Sequence, residues 1–427
     1  MSNLLIRNVR PMGGAAADIL IRDGVILKIA AGIDAPDVSV IDGAGNLAIP
    51  GLVEAHTHLD KSLMGLGWYR NDVGSDLQAM IDNERALRHD PKIDPHVQSM
   101  RHALALVGNG TTHIRSHVDI DTDHRLAMVE GVLATREALS GIVDIEIVAF
   151  PQSGLMVRPG TLELMGGALA QGADVIGGID PAGMDRDPKG QLDALFDLAE
   201  QHGKPIDIHL HEAGELGAFT TELILERVRA LAMEGRVVIS HAFCLGMNDW
   251  QKVGRLIEQI AELRVGIATT AAPSREVPSV LRLLEAGLVV GAGCDGVRDS
   301  WNPIQRPDMR DRARIVAMKN NLRRDDDLEK VLDICTGIGA RMCGIEDHAL
   351  QVGARADLMT LDAETLAEVV VSDAPAALVV KGGQVTARAF ARAVDRGVRR
   401  HRPSAPGERR AGDRPRPGGV CWARFSG

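Results

Sequence analysis

The segment Pro50-Gly-Leu-Val-Glu-Ala-His-Thr-His-Leu-Asp60 begins with a Pro-Gly turn, continues as an apolar strand and ends in two histidines. Residues two apart in a β-strand project from the same face, so His56 and His58 point in the same direction. Two neighbouring imidazoles are suitable ligands for Zn²⁺ or Fe²⁺. A His-x-His pair also occurs by chance, so its meaning depends on the rest of the chain.

From residue 50 onward, apolar strands alternate with long helical stretches, which is typical of a parallel sheet built from strand–helix units. Eight such units in about 250 residues predict an α/β fold, a (β/α)8 barrel of the TIM type, rather than an open sheet. The predicted strands are Leu52–His58, His113–Asp119, Asp144–Phe150, Val175–Ile179, Pro205–His211, Arg236–His241, Arg264–Ala268 and Leu288–Cys294.

Short strands separated by Gly and Asp turns precede the barrel, and similar strands return after a predicted helix near Leu328–Arg341. We interpret the two sets as halves of one small β-sandwich domain formed by both termini. These strands are Leu4–Val9, Asp18–Arg22, Val25–Ile29, Val38–Ile41, Asp357–Thr360, Ala377–Val380 and Gln384–Thr386. The predicted boundaries are 1–49 and 346–395 for the small domain, 50–345 for the catalytic barrel, and 396–427 for an Arg- and Pro-rich tail whose composition predicts disorder.

Composition excludes some classes of protein. The chain has 427 residues, 45% of them hydrophobic and 25% charged, with a formal net charge of −10. This negative net charge argues against a protein that binds nucleic acid. Five scattered cysteines without a Cys-x-x-Cys pair favour reduced thiols. We find neither the apolar run of a signal peptide nor a stretch of roughly 18 apolar residues, so we expect a cytoplasmic protein without membrane contact.

Three later strand ends carry further candidate metal ligands. They are Asp207-Ile-His-Leu-His-Glu212, Ile239-Ser-His241 and Gly293-Cys-Asp295. The carboxyl ends of barrel strands meet at one face, where active sites are built. A mononuclear catalytic site needs three or four protein ligands and an open position, which His56, His58, His209 and Asp295 supply. His211 competes with His209 for this role, whereas we expect structural or supporting roles for His113 and His117.

Taken together, six segments resemble the amidohydrolase superfamily, and within it the bacterial cytosine deaminase branch. They are also similar to N-isopropylammelide amidohydrolases. The resemblance runs in family order over roughly residues 50–345. The segments are Val53-Glu-Ala-His-Thr-His-Leu-Asp60, His113-Ile-Arg-Ser-His-Val-Asp119, Ile147-Val-Ala-Phe-Pro-Gln152, Asp207-Ile-His-Leu-His-Glu212, Ser240-His241 and Asp295-Gly-Val-Arg-Asp-Ser-Trp301.

The resemblance implies a metal-dependent hydrolytic deaminase of an aminopyrimidine or related nitrogen heterocycle. One Fe²⁺ or Zn²⁺ ion per subunit would be held by the four ligands named above, and a metal-activated hydroxide would attack the amino-bearing carbon. The resemblance also implies that the protein forms a homo-oligomer. The sequence alone does not decide whether the metal ion is iron or zinc.

Particular residues receive roles from this resemblance. Glu212 would carry a proton to the ring nitrogen and then to the leaving amine, which departs readily only when protonated. His241 would hydrogen-bond the attacking water, and Asp295 could take a proton from it, because a metal lowers the pKa of its water. Gln152 would pair with the ring's carbonyl and N–H edge. Trp301 is expected to line the substrate pocket.

Two departures from the cytosine deaminases bear on the substrate. Gly296 stands where those enzymes carry a second acidic residue, and Asp180-Pro181 stands where they carry a Pro-His pair. The loss of a side chain at Gly296 predicts additional space beside the ring. We therefore expect a bulkier ring, such as a 5-substituted cytosine or a triazine.

Other classes of function remain open. The predicted fourth strand has no lysine that could be carbamylated to bridge two metals, which argues against the binuclear members of the superfamily. One alternative is an N-alkylamino-triazine (ammelide-type) amidohydrolase that releases an alkylamine. Another is a non-catalytic scaffold that keeps the barrel, although such proteins typically lose metal ligands, and the candidate ligands and Glu212 are all present here.

Overall fold

The computed structural model describes residues 3–74 and 76–388. Its strands are β1 (Leu4–Pro11), β2 (Ala17–Arg22), β3 (Val25–Ala30), β4 (Ser39–Asp42), β5 (Leu47–Pro50), β6 (Leu52–Thr57), β7 (Thr111–Asp119), β8 (Asp144–Phe150), β9 (Val175–Ile179), β10 (Ile206–His209), β11 (Val237–Ser240), β12 (Gly266–Thr269), β13 (Val290–Ala292), β14 (Leu358–Leu361), β15 (Leu378–Lys381) and β16 (Gln384–Arg388).

The α-helices are α1 (Leu77–Leu87), α2 (Pro95–Gly108), α3 (Ala127–Ala138), α4 (Thr161–Gln171), α5 (Pro188–His202), α6 (Gly214–Ala230), α7 (Trp250–Glu262), α8 (Val280–Glu285), α9 (Met309–Lys319), α10 (Asp325–Asp333), α11 (Gly337–Met342) and α12 (Leu366–Val371). Short 3-10 helices span Leu59–Lys61 and Phe243–Gly246.

The parallel strands β6 to β13 pair in chain order and form the barrel. The ring is joined where Thr57, at the end of β6, forms a parallel bridge with Asp295, just beyond β13. The Thr57 hydroxyl donates to the Asp295 carbonyl at 2.7 Å, and the Asp295 amide donates to the His56 carbonyl at 2.8 Å. The predicted (β/α)8 barrel is confirmed, and its closure brings Asp295 next to the first two histidines.

Gly293 makes this closure possible. A Cβ at this position would lie only 2.3 Å from the His56 carbonyl oxygen and 2.5 Å from the His56 Cβ. Because these atoms belong to the adjacent strand, they cannot move aside, so only glycine allows the two backbones to approach. The approach fixes the distance between the first and last ligands of the candidate site.

All eight predicted barrel strands are present, but several end earlier than predicted. His58, His211 and His241 lie outside the strands that were predicted to contain them. One reason is that the chain turns sharply at the strand ends, and His241 and Asp295 adopt left-handed φ values of 69° and 62°. Hydrophobic patterns locate a strand but do not show where its backbone stops pairing with the neighbouring strands.

The terminal strands form the small β-domain, and the prediction that both termini build it is confirmed. Strand β5 joins the halves, because it pairs in parallel with β1 and antiparallel with β14. The sequence did not predict β5, since its apolar residues run directly into β6 with only Gly51 between them. Side chains from both halves, including Ile6, Ile19, Leu358 and Val380, share one apolar cluster.

The helix predicted near Leu328–Arg341 is wrong as a single element, because α10 ends at Asp333 and α11 begins at Gly337. The break frees two backbone carbonyls for the barrel. The amide of Val53 donates to Cys335 at 2.8 Å, and the amide of Ala292 donates to Ile334 at 3.2 Å. A continuous helix would use those carbonyls internally.

Within the described ranges, no helix has both the length and the apolar character needed to cross a bilayer. The Arg- and Pro-rich tail at 396–427, predicted to be disordered, lies outside the described residues.

Candidate active site

Four histidines from three strand ends converge at the carboxyl face of the barrel. The ring centroid of His56 lies 5.7 Å from that of His58, 4.6 Å from that of His209 and 4.8 Å from that of His241. Ligand atoms of His56, His58 and His209 all lie within 4.8 Å of one another. Asp295 Oδ1 lies 3.3 Å from His58 Nε2 and 3.9 Å from His56 Nε2. The four predicted metal ligands are therefore brought together.

The ligand atoms have the properties that a divalent cation requires. His56 Nε2 and both ring nitrogens of His209 are buried without a hydrogen-bond partner in the described structure. Burial lowers the pKa of His56 and of His209 well below the ordinary value, and the neighbouring imidazoles lower it further. Both rings are therefore neutral at physiological pH and offer lone pairs. Together with the Asp295 carboxylate, this donor set fits a single Zn²⁺ or Fe²⁺ ion.

A buried relay fixes the orientation of His56. The Ser240 hydroxyl donates to Asp207 Oδ1 at 2.6 Å, so the Ser240 oxygen must accept from His56 Nδ1, 2.9 Å away. His56 Nε2 is consequently the unprotonated nitrogen, and it faces the ligand cluster. Asp207 also accepts from Arg115 at 3.2 Å, and Arg115 donates to Glu146 at 2.6 Å. Such outer partners hold ligating imidazoles in one tautomer and one rotamer.

His117 lies closer to the site than expected. Its ring centroid is 4.2 Å from that of His56 and 4.5 Å from that of His209. Its Nε2 is 3.7 Å from Asp207 Oδ2, which places it beside the relay. His113, on the same strand, instead groups with Glu146 and Cys343.

His241 adopts a strained conformation beside the ligands. Its left-handed φ of 69° is uncommon for a residue with a side chain, and such strain concentrates at functional sites. Nδ1 lies 3.3 Å from the Thr270 hydroxyl, whereas Nε2 is buried and has no partner among the described residues. Burial and, to a smaller extent, the neighbouring His211 lower the pKa of His241 to about 3. The ring is therefore neutral and can accept a hydrogen bond.

A cavity that is partly open to solvent adjoins the ligands. The three predicted substrate residues, Gln152, Gly296 and Trp301, all line it. The complete lining is His58, Lys61, Gln152, His209, His211, Asp295, Gly296, Asp299, Trp301 and Asn302.

Lys61 is a pocket residue that was not among the predicted site residues. Its ammonium donates to Gln152 Oε1 at 2.5 Å and pairs with Glu84 at 3.1 Å. Because an ammonium group has no acceptor, Gln152 must turn its oxygen toward Lys61 and its Nε2 away from it. Gln152 thus has its donor group free for the cavity, whereas the sequence suggested both a donor and an acceptor. The only signal for Lys61 was its place three residues after His58.

Glu212 does not belong to the cavity lining in this structure. Its Oε1 accepts from the backbone amides of Ala182 and Gly183 at 2.8 Å each, and its Oε2 accepts from the Thr220 hydroxyl. Burial raises the pKa of Glu212, against the lowering effect of these hydrogen bonds. With both oxygens engaged, the carboxylate fixes the loop at 182–183.

His211 lines the cavity instead. Its Nδ1 lies 2.8 Å from Asp180 Oδ2, and Asp180 also accepts the His211 backbone amide at 2.6 Å. Although burial disfavours a charged imidazole, the Asp180 carboxylate raises the pKa of His211. The sequence singled out Asp180 as a departure from the family pattern but did not connect it with His211. Their pairing depends on the adjacent ends of β9 and β10.

Known proteins are similar along most of the chain. The amidohydrolase family model matches residues 39–387. The N-isopropylammelide isopropyl amidohydrolase of Pseudomonas sp. (strain ADP) is 32% identical over 394 residues, which cover 90% of this chain and 96% of that protein. The crystal structure of N-isopropylammelide isopropylaminohydrolase from Burkholderia multivorans has a TM-score of 0.88 and 48% identity, covering 91% of this chain and 99% of that one.

A second solved relative is the 5-methylcytosine deaminase from Klebsiella pneumoniae, liganded with 5-fluorocytosine. It has a TM-score of 0.80 and 28% identity, and covers 91% of this chain and 98% of that one. The family match extends over most of the chain, and the same chain forms a barrel that gathers His56, His58, His209 and Asp295 at one face. The chain belongs to the amidohydrolase family and is a hydrolase of that superfamily.

Proposed function

We propose that the protein hydrolyses the bond between a ring carbon and an exocyclic amine in an oxo-substituted nitrogen heterocycle. The observation that carries this proposal is that imidazole nitrogens without a hydrogen-bond partner among the described residues converge with Asp295, beside a cavity lined by hydrogen-bond donors. A pocket that combines convergent polar groups with perturbed pKa values is a strong candidate active site.

The donors suit ring carbonyls. Lys61 offers its ammonium, and Gln152 offers its Nε2 because Lys61 engages its oxygen. Trp301 lines the same cavity, and its Nε1 is buried without a partner in the described structure. An aromatic wall can also pack against a flat heterocycle. These groups favour a ring with more than one carbonyl.

His56, His58, His209 and Asp295 are the residues proposed to hold one divalent ion per subunit, which when bound lowers the pKa of water and polarises the reacting group. Neutral His241 is placed to accept a hydrogen bond from the attacking water, and the neighbouring Asp295 carboxylate would take the proton of that water. Although burial disfavours its charge, the neighbouring imidazoles hold the pKa of Asp295 well below its usual range.

The departing amine needs a proton, and the geometry favours His211 over Glu212 as its carrier. His211 lines the cavity and is held by Asp180, whereas Glu212 would have to leave two amides and Thr220. We expect His211→Asn to lose about 100-fold or more in kcat while retaining its metal. We expect Glu212→Gln to lose much less.

Steady-state kinetics with metal analysis of both variants tests this assignment. If Glu212→Gln were nearly inactive with full metal content while His211→Asn turned over normally, the proton role would belong to Glu212.

The released amine separates the two candidate substrates. The resemblance to cytosine deaminases favours ammonia from an aminopyrimidine. The 48% identity to an N-isopropylammelide isopropylaminohydrolase favours an alkylamine from an alkylamino-triazine. We expect the metal-loaded enzyme to act on rings with two carbonyls, such as N-isopropylammelide, at least 10-fold faster than on cytosine.

The test measures ammonia and isopropylamine release over a panel of cytosine, 5-methylcytosine, ammelide and N-isopropylammelide. The metal-stripped protein is the control. A protein that binds no stoichiometric divalent metal and releases no amine from any ring would instead support the non-catalytic scaffold.

A further inference from the structure

The surroundings of Gly296 bear on which ring the pocket accepts. The sequence predicts open space there, but the structure fills it with the Asp299 carboxylate. A Cβ on Gly296 would lie 1.9 Å from Asp299 Oδ2 and 2.7 Å from its Cγ. Asp299 can occupy this place because residue 296 has no side chain. The carboxylate beside position 296 therefore belongs to Asp299, three residues further along the chain, and not to residue 296 itself.

Asp299 is anchored by one oxygen and leaves the other without a donor. Its Oδ1 accepts from the backbone amides of Trp301 at 2.9 Å and Asn302 at 2.6 Å. Its Oδ2 accepts no hydrogen bond from the described residues, although Asp299 is only 3% exposed. Both oxygens of a carboxylate are acceptors, so Oδ2 keeps the capacity to accept a hydrogen bond. Asp299 lines the cavity, so a bound molecule can supply that donor.

The cavity presents this acceptor among donors. Lys61, Gln152 and Trp301 line the same cavity and offer N–H groups, as described above. We propose that Asp299 determines substrate specificity by accepting a hydrogen bond from a ring N–H that lies between two ring carbonyls. Lys61 and Gln152 bind those carbonyls. The inference deepens the proposed function and rests on it, because it names the ring edge that the same pocket recognises.

The arrangement also selects against other rings. A ring nitrogen that carries a lone pair in place of the N–H would face Asp299 acceptor to acceptor, and a methylated nitrogen would clash with it. Leaving a buried charged acceptor unpaired costs more than the net gain of an ordinary hydrogen bond. Burial raises the pKa of Asp299 to about 6, so the group is still mostly ionised at neutral pH. Plain cytosine therefore presents the wrong edge.

Asp299→Asn tests the proposal while preserving the loop, because its amide oxygen can still accept from Trp301 and Asn302. Its NH₂ group replaces Oδ2. The probes are uracil, whose N3–H lies between two carbonyls, and 3-methyluracil, which lacks that N–H. We expect calorimetry on the metal-loaded wild type to show uracil binding about 10- to 100-fold tighter than 3-methyluracil. Asp299→Asn and Gly296→Ala should each reduce this preference to near one.

Asp18→Asn is the matched control. Asp18 is likewise a buried carboxylate that accepts backbone amides, here of Asn8 and Ile33, but it lies in the terminal β-domain. It should leave the preference unchanged.

An equal preference in wild type and Asp299→Asn, or a wild type that binds neither probe, overturns this inference. Failure of the proposed function looks different, because uracil would bind selectively while no ring in the substrate panel released an amine.

Discussion

At the scale of single residues, the hydrogen bonds of His56 determine which of its ring nitrogens is unprotonated and available to a cation. His56 depends on Ser240, whose hydroxyl links it to Asp207 inside the barrel. Without the hydroxyl, His56 Nδ1 would lose its acceptor, and the ring could rotate or change tautomer. We expect Ser240→Ala to weaken metal affinity about 10- to 100-fold.

Competition with a chelator measures that affinity without reference to turnover. Ser99→Ala removes another buried serine hydroxyl, one that bonds within α2 and to Thr135, and serves as the control. An unchanged metal affinity in Ser240→Ala would mean that packing alone orients His56.

At the scale of secondary-structure elements, a cross-strand ion pair inside the barrel supports the relay. Arg115 on β7 lies directly opposite Glu146 on β8, and its Nε donates to the carboxylate at 2.6 Å. Burial opposes the charge on Glu146, but Arg115 prevails and lowers the pKa of Glu146 from 4.5 to about 2. This carboxyl titrates below its unfolded value. Its contribution to stability is therefore complete above about pH 4.5 and is lost as the pH falls toward 2.

Glu146→Gln should reduce the free energy of unfolding by about 2–3 kcal/mol at pH 7. The difference from wild type should shrink between pH 4.5 and 2, since protonation removes the same charge. Denaturant titrations across this range measure it. A difference that did not change with pH would show that Glu146 acts through packing rather than charge.

At the scale of the whole molecule, the buried ammonium group of Lys381 links the terminal β-domain to the barrel through ion pairs. Lys381 on β15 donates to Asp357 at 2.7 Å and to Asp144, at the start of β8, at 2.6 Å. Arg355 also donates to Asp144, at 2.9 Å. Lys381 is only 2% exposed, so these carboxylates compensate for its loss of hydration. The C-terminal part of the β-domain thereby stabilises β8, the strand that precedes Gln152.

Much of this architecture could be predicted because periodic patterns carry it. Alternating strands and helices gave the barrel, and the same strand ends gave His56, His58, His209 and Asp295. The α10–α11 break and β5 were missed, because both depend on hydrogen bonds to residues far away in the sequence.

The sequence by itself determined the barrel, the family resemblance and the candidate ligands, since each depends on residue type and local spacing. Only the tertiary structure decided which groups face the cavity. It paired His211 with Asp180, turned Glu212 toward its own loop, and placed Asp299 in the space beside Gly296. The physical reason is that these contacts depend on backbone turns beyond the strand ends, where left-handed residues redirect the chain and no hydrophobic periodicity records the direction.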